Sequence, residues 1–328
     1  MKENKKYFGY KNQVYGVTSA KLQGGRKQDA LVHFVKTGSG LEYVVNQDRC
    51  LDIASLSFGG INISYQGREG IINSKYANTF SSGAFDTYYN GGMIYTCGLK
   101  NVGPECICNN EFYPTHGRIG TLPANDVSII SNDEEIKISG TIYETSLFGS
   151  NLVLHRTIKS NIFSNELELS DIIENNGNID EYIYYLYHMN FGYPFLDENT
   201  IIECDEQLST PRDEYSNKNL YLLTKHDKPY DDAEECVFFR KLKDENGISR
   251  ISVINKKMRI KATIEYENEF LPNLVQWSSL VSHDYALGLE PTNTFVRGRN
   301  NEIENGNVHL LKKNEKIKIN IKLKFERI

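Results

Sequence analysis

Three short segments carry residue types able to move protons. In EYIYYLYHMNFGYPFL (181–196), His188 lies within a run that is apolar or aromatic on both faces, as a central strand covered on both sides would be. A buried imidazole must be paired, and a backbone carbonyl would suffice. However, Tyr182, Tyr184 and Asn190 share its face by alternation, and the strand ends in Phe191-Gly192-Tyr193-Pro194. A polar group framed by aromatic rings at a strand end suits a sugar, whose C–H faces stack on rings while Asn and His reach its hydroxyls. In YALGLEPTN (285–293), an apolar run delivers the carboxylate of Glu290 just before Pro291, which is expected to end the strand. In YPTHGRIGTLPA (113–124), His116 sits in a Gly/Pro-rich loop, where Gly117 allows close backbone approach to a ligand. A glutamate ionised at neutral pH and a histidine able to hold a proton form a general acid–base pair, each member worth on the order of 10² to 10⁴ in rate.

Other chemistries fit less well. Two carboxylates around a glycosidic bond would indicate a glycosidase. Asp197, Glu198, Asp205 and Glu206 are available, but none has the aromatic framing or strand-end delivery of Glu290. Cys106-x-Cys108, with Cys97 and His116 nearby, lacks the two-residue gap and second Cys/His pair of a zinc site, so these cysteines read as buried thiols and no metal is expected. No G-x-S-x-G, P-loop or G-x-G-x-x-G motif occurs.

The elements that must position these residues read as strands. Ile317, Ile319, Ile321, Leu323 and Phe325 alternate with polar residues, as do Ile136, Ile138, Gly140 and Ile142, and again Met258, Ile260, Ala262, Ile264 and Tyr266. This period of two describes half-buried antiparallel strands. Gly59-Gly60, Asn175-Asn176-Gly177-Asn178 and Asn305-Gly306 read as hairpin signals. Segments 66–92 and 97–125 hold few alternations and read as long, functional loops. No strand–helix alternation appears, and no linker divides the chain. The expectation is an all-β fold, a large antiparallel β-sandwich forming a single domain over residues 1–328.

The chain has 37 Lys and Arg against 43 Asp and Glu, a net charge of -6 with no basic cluster, which argues against nucleic acid as a partner. No run approaches the roughly 18 apolar residues of a membrane span, and the start MKENKKYFGYK lacks the apolar core of a secretory signal. A cytoplasmic protein with mostly reduced thiols is expected. The alternating strand 316–327 could pair across a homodimer, although Lys at its wet positions is also how sheet edges avoid pairing.

The collinear set NQDRCLDI (46–53), GGMIYTCGLKNVGP (91–104), THGRIGTLPA (115–124), LYHMNFGYPFLDE (186–198) and LGLEPTN (287–293) resembles the aldose 1-epimerase (galactose mutarotase) superfamily, in particular its branch known only as a domain of unknown function. The resemblance spans nearly the whole chain. It implies a galactose mutarotase-like supersandwich with a sugar cleft on one sheet, and an isomerase interconverting sugar anomers. By the same resemblance His188 matches the general acid, Glu290 the general base and His116 a substrate-binding histidine, while Arg49, Asp52, Arg118 and Asn190 match positions that line or support the pocket. No cofactor is required. Arg49 and Arg118 would give a preference for an acidic sugar. Two alternatives stand beside this reading: a non-catalytic sugar-binding protein, and an isomerase in which Glu290 removes a carbon-bound proton.

Overall fold

The computed structural model describes residues 6–328, so the basic first five residues lie outside it. Among the described residues, antiparallel strands form a five-stranded, a nine-stranded and a seven-stranded sheet, with a small two-stranded hairpin beside them. The helices are single turns or little more, such as Phe85–Tyr88 and Arg299–Glu304. No helix there is long and apolar enough to cross a membrane.

The alternation explains the layering. Leu41, Tyr43 and Val45 of the five-stranded sheet, Ile136, Ile138, Leu152 and Leu154 of the nine-stranded sheet, and Ile183, Met189 and Phe191 of the seven-stranded sheet all bury into one shared core. Each strand gives one face to that core. The seven-stranded sheet turns its other face to a second cluster containing Tyr95, Cys97, Tyr184, Leu186 and Val275. The Glu181–Phe191 strand is therefore covered on both sides, as its composition predicts.

Buried charge joins the three sheets. Arg156, in the nine-stranded sheet, contacts Asp52 of the five-stranded sheet at 2.6 Å and Asp171 of its own sheet at 2.7 Å. The Tyr185 and Tyr187 hydroxyls of the seven-stranded sheet donate to Asp171 at 2.7 and 2.6 Å. The Thr96 backbone N–H donates to Asp52 at 2.9 Å. Every charge in this cluster has an opposite charge and directed hydrogen bonds, which burial demands.

Several details differ from the sequence reading. Gly59-Gly60 does join a hairpin, with Phe58 opposite Ile61. The 175–178 turn instead carries the chain from the nine-stranded sheet to the seven-stranded one: Glu166–Asn175 pairs with Lys316–Arg327, and Glu181–Phe191 with Ala286–Thr292. The 97–125 segment contributes ordered pairing: Tyr95–Leu99 lies beside Glu181–Phe191, and Cys106–Cys108 pairs with Glu111–Tyr113. Cys106 and Cys108 are thus half-exposed rather than buried, and all six cysteines are unpaired. The Lys316–Arg327 strand is flanked on both sides, by Ile260–Glu267 and Glu166–Asn175, so it offers no edge to a second copy.

Replacing Arg156 by Met should cost about 3–5 kcal/mol of unfolding free energy, because two buried carboxylates lose their counter-charge. Denaturant unfolding checks this, and a loss within experimental error would contradict the assigned role.

Candidate active site

Strand pairing creates the site. Glu181–Phe191 pairs with Ala286–Thr292 so that Leu186 faces Thr292, Met189 faces Leu289 and Asn190 faces Gly288. The same register puts residue 188 across from residue 290, on the face turned away from the shared core. His188 Nε2 lies 3.2 Å from Glu290 Oε1, with the side chains only 8% and 3% exposed. The approach is close without being in line for a hydrogen bond, and Glu290 Oε1 remains buried with no hydrogen-bond partner. An unsatisfied buried acceptor is costly, and a ligand hydroxyl would relieve it.

Burial sets the protonation of the pair. It pushes His188 down to about 3, with the neighbouring His116 acting in the same direction. It holds the Glu290 carboxyl well above the usual range, and the negative charge of Glu235 adds to this. Both shifts favour the uncharged form of each group.

The surrounding network orients the imidazole. The Tyr89 hydroxyl donates to Asn190 Oδ1 at 3.0 Å, and its oxygen lies 3.3 Å from His188 Nδ1. With its proton committed to Asn190, that oxygen accepts from Nδ1–H; this assigns the tautomer and turns the Nε2 lone pair toward Glu290. Asn190 Nδ2 in turn donates to the carbonyls of Gly92 and His188 at 3.0 and 2.9 Å.

The HGR turn brings in His116. Gly98 N–H donates to the His116 carbonyl, and Arg118 N–H to the Gly98 carbonyl. Gly117 has φ +74, and a Cβ there would fall 2.1 Å from the Gly98 oxygen, so only glycine permits this docking. The His116 ring consequently sits 5.9 Å from that of His188, and burial lowers its pKa to about 4. Aromatic rings complete the enclosure: Trp277 lies edge-on to His188 at 5.5 Å, Tyr89 at 5.3 Å, and Phe85 stacks on Tyr89 at 5.1 Å. The indole Nε1–H is held by Glu235 Oε2 at 2.8 Å.

The family model described as Domain of unknown function (DUF4432) matches residues 28–325. The chain belongs to this family. No curated protein matches it. Among solved structures, a candidate aldose 1-epimerase from Klebsiella pneumoniae subsp. pneumoniae is similar at 21% identity and TM-score 0.89, over 96% of this chain and 86% of that one. A galactose mutarotase-like protein from Clostridium acetobutylicum is similar at 12% identity and TM-score 0.69, over 97% and 100%. Galactose 1-epimerase from Lactobacillus acidophilus is similar at 13% identity and TM-score 0.62, over 95% and 99%. The DUF4432 chain therefore has the galactose mutarotase-like sandwich fold.

The expected residues divide in this DUF4432 protein. His188, Glu290 and His116 converge. Asn190 is fully hydrogen-bonded and positions Tyr89 and His188 rather than facing open space. Asp52 belongs to the Arg156 cluster, and supports the sheet from behind through Thr96. Arg49 is 2% exposed: its Nε donates to the Gly120 carbonyl at 2.8 Å and its guanidinium lies 5.5 Å from the Tyr95 ring centre. Arg118 lines a separate hollow with Glu144. Neither guanidinium contacts the pair, so the expected preference for an acidic sugar loses its basis. Tyr184 also falls outside the enclosure, since it donates to the Arg299 carbonyl and stacks under that guanidinium, and Tyr182 lies further along the strand, opposite Leu310. The strand carrying Glu290 runs on through Pro291 to Thr292.

Sequence reasoning missed Tyr89, Trp277 and Glu235. Trp277 was detectable, because it is the chain's single tryptophan and alternates with Val275 in NLVQWSS. Tyr89 lies in a segment without periodicity, where only the fold reveals its role.

Gly288 leaves room for the carboxylate: a Cβ there would sit 2.5 Å from Glu290 Oε1 and 3.3 Å from His188 Cε1. In a crystal structure of Gly288→Ala, the Glu290 carboxyl should swing away from His188, at a stability cost of about 1–3 kcal/mol. An unchanged His188–Glu290 contact would contradict this reading.

Proposed function

We propose that this protein interconverts the anomers of a free sugar, as an aldose 1-epimerase-like isomerase. The observation that carries the reading is the pairing of His188 with Glu290 at 3.2 Å in a desolvated, aromatic-walled enclosure.

Mutarotation needs one proton taken from the anomeric hydroxyl and one given to the ring oxygen. The C1–O5 bond breaks as the C1 carbonyl forms; rotation about C1–C2 and the reverse steps close the other anomer. A facing carboxyl and imidazole suit this cycle. In its neutral form Glu290 is the donor and His188 the acceptor. After internal transfer His188 is the donor and Glu290 the acceptor, which is the assignment the family resemblance implies. Each turnover returns the proton count to its starting value, so no external acid, base or redox partner is consumed. His116 and the rings of Trp277 and Tyr89 are proposed to hold the sugar, the rings against its C–H faces. A sugar reaching a pair so little exposed must displace part of the Phe85–Tyr89 cover.

His188→Asn and Glu290→Gln should each slow anomer exchange by on the order of 10² or more, measured by saturation-transfer NMR over a panel of aldoses and uronic acids. No acceleration with any sugar, or full activity in Glu290→Gln, would overturn the enzymatic reading. Quenching of Trp277 fluorescence by a sugar without turnover would select a non-catalytic binding protein.

A further inference from the structure

Arg118, expected beside the sugar, faces elsewhere. Its Nη2 donates to the Phe112 carbonyl at 2.7 Å, and its guanidinium lies 4.9 Å from the centre of the exposed Phe80 ring. Its Nε is buried without a partner. Among the described residues no carboxylate lies within ion-pair distance of Arg118, whereas the neighbouring Lys100 is matched by Glu111 at 2.8 Å. In its surroundings Glu111 and Glu144 line the same hollow and act on Arg118 only through space, so the Arg118 Nε–H is left without a hydrogen-bond acceptor.

Those surroundings form a hollow of about 450 Å³ that shares no lining residue with the His188–Glu290 pair. Phe80, Phe112, Thr145, Ser146 and Ser150 also line it. Glu144 also lines it, with Oε2 accepting from the Leu99 backbone N–H at 3.1 Å.

We propose that this hollow is a second binding site, taking a small molecule that carries a carboxylate or phosphate on an apolar body. The oxyanion would pair with the Arg118 fork and accept from the hydroxyls, while the apolar part lies between the phenylalanines. Glu144 tunes the site. Burial raises its carboxyl to about 7, while Lys100 and Arg118 pull it down and Glu111 pushes it up. Protonated, Glu144 donates to the anion; ionised, it repels it. Binding therefore tightens as pH falls through this value.

Calorimetric titration of the full chain with inorganic phosphate and, separately, with benzoate tests the site. Saturable binding is expected with at least one probe. Phosphate alone selects a phosphoryl ligand, and benzoate selects a carboxylate with an apolar body. Arg118→Gln should weaken binding roughly tenfold or more, and so should Ser146→Glu, which places a negative charge at an exposed position of the rim and keeps the test decisive if Arg118→Gln fails to fold. With benzoate, whose charge does not change over this range, Glu144→Gln should retain binding and flatten its dependence between about pH 6 and about pH 8. Glu290→Gln should leave binding unchanged, which separates this site from the proposed isomerase. Absence of saturable binding with both probes, or equal affinity in Ser146→Glu, would overturn the proposal.

Discussion

The buried guanidinium of Arg156 is the constraint on which the rest of the molecule depends. It joins Asp52 of one sheet to Asp171 of another, and Asp171 accepts from Tyr185 and Tyr187 of the third. A hydrophobic core alone is non-directional and tolerates sliding between layers. A cluster of charges in low dielectric tolerates little, because any slip leaves an uncompensated ion. The odd-numbered residues of the Glu181–Phe191 strand are thereby fixed to the sheets beneath it.

The even-numbered residues of that strand inherit the precision. With Tyr185 and Tyr187 pinned, His188 and Asn190 project from the opposite face at set positions, and the neighbouring strand brings Glu290 across. A sheet register shifted by one residue would exchange the faces and bury the imidazole in the core. The seven-stranded sheet thus divides by parity, with the odd-numbered side chains in the shared core and the even-numbered ones placing His188 and Asn190 on the opposite face, beside Glu290. The HGR turn, docked by backbone hydrogen bonds to Tyr95–Leu99, adds His116 to the face that carries His188.

Much of this was legible in the sequence wherever a period of two persisted. The strands around Ile136, Ile260 and Ile317 announce themselves by alternation, and the doubly apolar run around His188 announces a covered central strand. Strand partners were less legible, because alternation gives a strand's faces and not its neighbours. The 175–178 turn shows this, having every mark of a hairpin while connecting two sheets. The candidate site was legible as far as His188, Glu290 and His116. Its supporting parts, Tyr89 and Glu235, lie where spacing holds no signal, and Arg118 stands near the site in sequence while facing another hollow. Only tertiary packing separates residues that touch the pair from residues that hold it in place.

The central claim is that burial holds the His188 imidazole in its neutral form beside the Glu290 carboxyl. The direct measurement is ¹⁵N NMR of histidine-labelled protein, with the His188 ring assigned by its loss in His188→Asn. A neutral Nδ1–H imidazole at neutral pH, titrating well below the ordinary histidine value of about 6.5, is the predicted result. An imidazolium at neutral pH, or a titration near that ordinary value, would contradict the account.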